Sequence, residues 1–237
     1  MDLKEVEILG DAVGKHWYYL SKARALRRLV PRHDVSSILD VGAGSGFFSK
    51  DLLGWTTAKE AWCVDTSYAE ERDDQVGGKT IHFRRSIDSS AADLVLLMDV
   101  LEHVDDDRRL LAEYASKVKS GTRFVVSVPA FQFLWSGHDE FLGHRRRYTL
   151  AEIENSVRSC GLKVMRGCYY FALVFPLAAA IRLAGRLSTR GATPHSQLTR
   201  HSAVLNGALA GLCAIELPLL MHNRLAGLTA FCIAEKP

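Results

Sequence analysis

Short apolar runs alternate with longer amphipathic stretches along most of the chain. The runs are rich in Val, Ile, Leu and aromatic residues, which is typical of buried strands. The seven predicted strands lie near residues 38–41, 61–65, 80–88, 92–99, 122–129, 163–171 and 228–236. Strands that alternate with helices form a parallel sheet covered by helices on both faces. The pattern therefore predicts a doubly wound α/β fold with a seven-stranded sheet.

Two of the predicted helices have clear boundaries. Residues 12–30 have amphipathic spacing and stop before a proline, which cannot continue a helix. Residues 149–161 begin with Thr149 as the N-cap, carry Glu152 at the capping-box position and end at Gly161. Such agreement between pattern and end signals supports the helix assignments.

Composition indicates a globular protein rather than a disordered one. The chain has 237 residues, of which 48% are hydrophobic and 24% charged, enough for one large α/β domain with an insertion. The net charge of +3 is too small to indicate nucleic-acid binding. The positive charge is concentrated in one region, however, because the stretch from Asn155 to Ile215 contains no Asp or Glu but seven Arg or Lys residues.

The cysteines favour a reduced, cytoplasmic environment. They are five in number and include no CxxC pair, so neither a disulfide framework nor a zinc site is expected, and no metal is predicted. The first fifteen residues are charged and lack the apolar segment of a signal peptide. We therefore expect a cytoplasmic protein.

A glycine-rich turn, DVGAGSG, spans residues 40–46 between the first strand and a predicted helix. Glycines let the backbone turn sharply and approach a ligand, and the N-terminus of the helix favours negative charge. The dinucleotide fingerprint G-x-G-x-x-G would need a third glycine where Phe47 stands. An NAD(P)-dependent oxidoreductase is therefore the alternative rather than the leading hypothesis, together with a non-catalytic cofactor-binding module.

The turn resembles motif I of class I S-adenosylmethionine-dependent methyltransferases. Asp65 ends the second strand, where an acid in that family binds the ribose hydroxyls, and the run DLVLLMDVLEHV is similar to the family's fourth strand. The resemblance covers about residues 12–170 and the last strand. It implies the Rossmann-like class I methyltransferase fold, S-adenosyl-L-methionine as cofactor and methyl transfer as the activity.

The same resemblance implies a set of cofactor-binding positions. They are Trp17, Arg24, Asp40, Gly42, Ala43, Gly44, Gly46, Asp65, Thr66, Ile87, Asp88, Met98, Asp99, Val100 and His103. Glu102 and His103 either touch the cofactor or cap the following helix. The N-terminal helix resembles a lid that offers a cation to the methionine carboxylate; the alternative is a solvated basic face above an aromatic contact.

The segment GHDEFLGHRRRYT, residues 137–149, follows the fifth strand and is expected to face the methyl acceptor. It resembles bacterial methyltransferases that act on small or lipid-linked molecules and, more distantly, the ubiquinone-biosynthesis O-methyltransferases. His144 and then His138 are the candidate general bases, because histidine titrates near neutral pH; each could instead be a loop histidine that bonds the backbone. Asp139 would have to orient His144, because Arg145 stands where the related proteins have an acid. The expected acceptor-binding residues are Trp135, Arg145, Arg147 and Tyr148.

Residues 170–222 contain two apolar segments separated by a polar, basic one. The apolar segments predict a helical insertion, interrupted by prolines and charges and hence poorly suited to spanning a bilayer. A peripheral membrane contact, a homodimer interface and a lid over an apolar acceptor all fit this pattern. The predicted organisation is a lid (1–34), a cofactor-binding core (35–170), the insertion (171–224) and the last strand (225–237).

Overall fold

The computed structural model describes residues 10–188 and 202–237, which form an α/β fold around one sheet. The sheet has eight strands in the described residues. These strands are β1 (Ser37–Val41), β2 (Glu60–Val64), β3 (Arg72–Val76), β4 (Lys79–Arg84), β5 (Leu94–Met98), β6 (Arg123–Pro129), β7 (Lys163–Tyr170) and β8 (Thr229–Glu235). All seven strands predicted from the apolar pattern are present.

The strand order is β3-β4-β2-β1-β5-β6-β8-β7. Strands β4, β2, β1, β5 and β6 run parallel to one another, whereas β8 is antiparallel to both β6 and β7. The chain leaves β1 first toward β2 and β4 and later returns to the other side with β5. In open sheets of this kind, ligands bind at the carboxyl ends of the strands near such a reversal.

The eighth strand, β3, was not predicted. Its sequence, RDDQV, is polar and mostly exposed, so it carries no apolar signal. It pairs antiparallel with β4 across the turn formed by Gly77 and Gly78, both of which have positive φ. A two-residue turn of this kind needs positive φ and selects glycine. The edge strand therefore follows from the turn rather than from hydrophobicity.

Seven α-helices and four 3-10 helices accompany the sheet in the described residues. The α-helices are α1 (Trp17–Leu29), α2 (Phe47–Trp55), α3 (Asp107–Ser116), α4 (Gly137–Leu142), α5 (Leu150–Ser159), α6 (Phe175–Ser188) and α7 (Ala203–Glu216). The 3-10 helices are Gly10–Lys15, Leu101–His103, Gln132–Leu134 and Leu217–His222. The predicted helix at 12–30 is thus a 3-10 turn followed by α1. The caps predicted for α5 are present, with Thr149 accepting a hydrogen bond from the Glu152 backbone and Gly161 in the left-handed conformation.

The two faces of the sheet bury separate apolar clusters. Ile38 and Leu94 point to the face that α1, α2 and α7 cover, whereas the next residues, Leu39 and Val95, point to the face that α3 and α5 cover. Side chains of a strand alternate between faces, so a strand buried on both sides must be apolar throughout. This explains the continuous apolar runs in the sequence.

The described parts of the predicted insertion, 170–188 and 202–222, are largely helical; residues 189–201 lie outside the description. Glu216 anchors the segment, because its carboxylate accepts hydrogen bonds from the backbone N–H groups of Phe171 (2.6 Å) and Leu173 (3.0 Å). The side chain of Asn206 on α7 accepts from the Trp17 backbone at 2.7 Å. The insertion is thereby fixed against the start of α1, which supports the placement of both segments beside the strand ends.

Candidate active site

Backbone strain marks the carboxyl-end edge of the sheet. Among the described residues, three that are not glycine have positive φ: Asp99 (56°), Phe131 (60°) and Phe171 (65°). They follow β5, β6 and β7 by one or two residues, so all three lie at the same edge. Positive φ is costly for residues with a Cβ and is concentrated at functional sites. The strain therefore points to this edge as the site of binding and chemistry.

The glycine turn lies at the same edge, between β1 and α2. Gly42, Gly44 and Gly46 have φ of 67°, 54° and 69°, and the Gly42 N–H donates to the carbonyl of Val64 on β2 at 2.7 Å. A Cβ at Gly42 would lie 2.6 Å from the side chain of Val100. Glycine is therefore required both by the backbone conformation and by the close approach of Val100. Ala43 lies buried within the turn.

Asp40 supports the turn from inside the protein. Its side chain is buried and accepts a hydrogen bond from the Ser49 hydroxyl on α2 at 2.7 Å. Burial raises the pKa of Asp40 to about 6, although the bond from Ser49 opposes the shift. Sequence alone predicted a direct cofactor contact. The structure shows that Asp40 joins the end of β1 to α2.

Asp65 faces the turn from the end of β2. One carboxylate oxygen accepts the backbone N–H of Gly44 at 3.0 Å, and the other accepts the backbone N–H of Ser67 at 3.0 Å. The oxygen that accepts the Ser67 N–H also accepts the Ser67 hydroxyl, whereas the oxygen that faces Gly44 keeps a lone pair. The carboxylate can therefore accept one ribose hydroxyl as it stands, and a second when the Ser67 hydroxyl rotates away. Tyr68, which the sequence analysis missed, donates its hydroxyl to the Gly44 carbonyl at 2.7 Å. These residues fit the adenosine part of S-adenosylmethionine.

Lys22 and Arg24 are the two cations that the predicted N-terminal lid offers, and Arg24 was the one selected as a cofactor-binding residue. It is fully buried on α1 and forms an ion pair with Asp99, and its ammonium also donates to the Tyr18 hydroxyl at 3.2 Å. Burial alone would lower the pKa of Lys22, but the charge of Asp99 raises it above the ordinary value. Arg24, which was predicted to hold the methionine carboxylate, is exposed. Lys22 therefore places a buried cation at the strand ends, and the face of α1 on which it lies indicates this burial.

The other predicted cofactor positions are distributed around this edge. Met98 ends β5 and is buried, and Ile87 is half-buried in the loop after β4. Thr66 and Asp88 are exposed in the loops that follow β2 and β4. Trp17 packs edge-on against Phe171 with ring centroids 5.7 Å apart, so its indole supports the aromatic wall beside the strained residue.

The segment 137–149 is organised around one buried carboxylate. Asp139 on α4 has no exposed surface, and it accepts from the His144 Nδ1 at 2.9 Å and from the Arg147 Nε at 2.7 Å. Burial alone would raise the pKa of Asp139, but the bonds from His144 and Arg147 hold it well below its usual range. Asp139 thus takes the position from which it orients the His144 ring.

The predicted acceptor-binding residues make contacts within their own loop and with neighbouring loops. Arg147 is buried, and its guanidinium pairs with Asp139. Tyr148 is also buried, and its hydroxyl donates to the Leu101 carbonyl at 3.2 Å. Arg145 is exposed and forms an ion pair with Asp105. Their polar groups therefore hold the loop together. Trp135 is half-buried, just after the 3-10 helix that ends at Leu134.

The His144 ring also lies next to the segment that follows β5. Its ring lies 4.8 Å from that of His103, centroid to centroid, and the Arg145 backbone N–H donates to the Glu102 carbonyl at 2.7 Å. Burial lowers the pKa of His103 to about 4 and raises that of Glu102. Glu102 was expected either to touch the cofactor or to cap a helix, but α3 begins only at Asp107, where Asp106 provides the cap.

His138, the second candidate base, lies on α4 and is half-buried. Burial lowers its pKa to about 3, and the nearby charge of Arg182 acts in the same direction. His138 is therefore neutral at pH 7 and could accept a proton only weakly. His144, held by a carboxylate, is the better placed of the two.

Comparisons with known proteins identify the fold. A family model described as a methyltransferase domain matches residues 15–166. The structure is similar to a SAM-dependent methyltransferase from Archaeoglobus fulgidus (16% identity, 99% of this chain and 98% of that chain covered, TM-score 0.54). It is also similar to a putative methyltransferase from Bacillus halodurans C-125 (10% identity, 92% of this chain and 99% of that chain covered, TM-score 0.57).

A third similar structure contains the cofactor. It is phosphoethanolamine N-methyltransferase 2 from Haemonchus contortus in complex with S-adenosyl-L-methionine (14% identity, 92% of this chain and 53% of that chain covered, TM-score 0.55). No curated protein matched the sequence. The family match covers more than half of the chain and includes the glycine turn and Asp65. The chain therefore belongs to the methyltransferase-domain family and is an S-adenosylmethionine-dependent methyltransferase.

Proposed function

We propose that the protein methylates an oxygen atom of a small or lipid-like acceptor. The observation that carries the proposal is the His144–Asp139 pair at the carboxyl-end edge of the sheet. S-Adenosylmethionine supplies a methyl group on a positively charged sulfur. Transfer requires mainly that the acceptor be held in line with that group, and a hydroxyl acceptor also requires removal of its proton.

The His144 ring is suited to that proton. Because Nδ1 is engaged with Asp139 at 2.9 Å, the remaining Nε2 is the nitrogen left for an acceptor hydroxyl. The carboxylate fixes the ring orientation and the nitrogen that carries the proton, as in other base–carboxylate pairs. A histidine without such a partner would lose both effects.

Aromatic side chains at the same edge support an apolar acceptor. The ring of Phe131 stacks on Tyr169 at 4.9 Å between centroids and lies 5.6 Å from Phe175 on α6 and 5.4 Å from Phe133. Phe133 is 48% exposed. A partly exposed aromatic group beside a strained loop suits the apolar body of an aromatic or lipid-like acceptor.

The test measures the rate of methyl transfer in the wild type, in His144→Ala and in the matched control His33→Ala. His33 is an exposed histidine outside the site. Purified variants are incubated with the methyl donor and a panel of phenols, catechols and prenylated phenols, and release of the demethylated cofactor is followed. We expect about 10²–10⁴-fold slower turnover in His144→Ala with little change in donor affinity, and wild-type rates in His33→Ala. Transfer only to amines or thiols, or unchanged turnover in His144→Ala, would contradict the proposal.

We further propose that the insertion attaches the enzyme to the cytoplasmic surface of an anionic membrane. The supporting observation is apolar exposure on both helices and on the turn that follows α7. The most exposed apolar side chains described there are Leu177, Ile181, Val204, Ile215 and Leu219. Contrary to the expectation from the sequence, one helical stretch among the described residues, 203–222, is by length and composition long and apolar enough to cross a membrane. The acid-free, basic sequence around these helices complements anionic lipid.

Vesicle flotation tests the attachment. We expect binding that increases with the anionic lipid fraction and falls with salt, and that is reduced in a Leu177→Ser/Ile215→Ser variant. A matched Phe133→Ser variant, changed outside the insertion, should float like the wild type. Absence of flotation together with a dimer in light scattering would instead assign the surface to a subunit interface.

A further inference from the structure

We infer that Glu102, His103 and His144 form a binding site for one divalent metal ion at the methyl-transfer edge. One ligand atom from each of the three side chains lies within 4.8 Å of the others. Carboxylate oxygen and imidazole nitrogen bind such ions at roughly 2.0–2.2 Å, so small side-chain adjustments bring all three onto one ion. No metal was expected from the sequence, because the ligands come from two distant segments and include no cysteine.

Glu102 provides an independent reason for an ion. Its side chain is completely buried, and neither carboxylate oxygen accepts a hydrogen bond from any of the described residues. A buried carboxyl group without a partner is strongly unfavourable, and such groups are normally paired or bound to a metal. A cation between Glu102 and the two imidazoles supplies the missing partner.

The surroundings hold the histidines as metal ligands are usually held. His144 engages Asp139 through Nδ1 at 2.9 Å, which leaves Nε2 for the ion. The ring of His103 lies beside the backbone of Gly143. Metal-binding histidines characteristically use their second nitrogen for a carboxylate or a backbone carbonyl, which fixes the ring.

The backbone joins the two ligand segments directly. The Arg145 N–H donates to the Glu102 carbonyl at 2.7 Å, and the Arg145 Nε donates to the His103 carbonyl at 2.9 Å. The ligands are therefore positioned by bonds between their own loops, independently of any ion. Such a preformed arrangement lowers the entropy cost of binding.

The ligand set selects the kind of ion. Two imidazoles and one carboxylate favour Zn²⁺, Mn²⁺ or Fe²⁺ over Mg²⁺ and Ca²⁺, which prefer oxygen ligands throughout. Three protein ligands leave coordination positions open for an acceptor oxygen. An acceptor hydroxyl bound there would release its proton to solvent more readily, so that His144 would act as a ligand rather than as the base. This catalytic role rests on the proposed function, whereas ion binding does not.

The test measures ion binding first. The protein is treated with a chelator, freed of it, and dialysed against Zn²⁺ or Mn²⁺, and the bound metal is counted by mass spectrometry. We expect one ion per chain in the wild type and in His33→Ala. Glu102→Gln and His103→Ala should bind at least tenfold more weakly. The ion should also raise the melting temperature of the wild type but not that of Glu102→Gln, which keeps the side-chain shape and so separates ligand loss from misfolding.

Two results would overturn the site: binding no tighter than to an exposed histidine, or equal affinity in wild type and Glu102→Gln. The catalytic role is tested separately by methyl transfer before and after chelation. Loss of transfer that Zn²⁺ or Mn²⁺ restores supports it. Ion binding with transfer that chelation leaves unchanged would overturn the role and leave His144 as the base. Absence of transfer under every condition would instead contradict the proposed function.

Discussion

The buried ion pair of Asp139 allows a prediction with a built-in control, because two neighbouring arginines pair with acids in opposite environments. The side chains of Arg147 and Asp139 are 3% and 0% exposed, whereas those of Arg145 and Asp105 are 49% and 82% exposed. Asp139→Asn removes the counter-charge of a buried guanidinium, which keeps the Ala130 carbonyl at 3.1 Å and gains only a neutral amide oxygen in place of the carboxylate. Breaking a buried pair on one side costs about 3–5 kcal/mol. Asp105→Asn breaks an exposed pair, worth about 0–1 kcal/mol.

Urea unfolding followed by circular dichroism measures both variants against the wild type. We expect Asp139→Asn to lower the free energy of unfolding several times more than Asp105→Asn does. A double variant, Asp139→Asn/Arg147→Met, should recover part of the loss because it also removes the unpaired charge. Equal, small effects of the two single variants would refute the assignment of Arg147 as a buried structural residue and would return it to the acceptor side.

Three further predictions concern the turn, the pH dependence and the buried lysine. Gly42→Ala should weaken cofactor binding at least tenfold in calorimetry, because its Cβ would lie 2.6 Å from Val100 on a backbone with φ of 67°; unchanged affinity would contradict the tight fit. The pKa of His138 is lowered to about 3 in the folded state, against about 6.5 when unfolded, so the unfolded state binds more protons between these values. The free energy of unfolding should therefore be steady above about pH 7 and fall as the pH decreases from about 6.5 toward 3, less steeply in His138→Leu; an identical slope in both proteins would exclude His138 as a cause. Lys22→Met should lower the unfolding free energy at pH 7 by about 3 kcal/mol, since it leaves Asp99 without its cation, and a neutral effect in urea unfolding would show that the pair adds nothing.

Most of the fold was predictable because it depends on periodicity. Central strands such as β1 and β5 are apolar on both faces, and this marks them clearly in the sequence. The glycine turn and Asp65 could also be located, since a sharp turn at the end of a strand has few sequence solutions. The edge strand β3 was missed because exposed residues carry no such pattern.

The acceptor side was harder to predict because its contacts are long-range. Sequence showed three consecutive arginines but not that Arg147 points inward to Asp139 while Arg145 points outward to Asp105. Likewise, Glu102 and His144 are far apart in the chain and meet only through the loop that follows β6. Local patterns identify which segments face the site, whereas the partner of each polar side chain is decided by tertiary packing.

Binding of S-adenosylmethionine, measured by calorimetry, tests the central claim most directly. The account predicts one saturable site in the wild type, binding weakened at least tenfold by Asp65→Ala because a charge-assisted bond to the ribose is lost, and no change in Glu70→Ala, which alters an exposed acid nearby. NAD should bind far more weakly than the methyl donor. Saturable NAD binding without binding of S-adenosylmethionine would contradict the account.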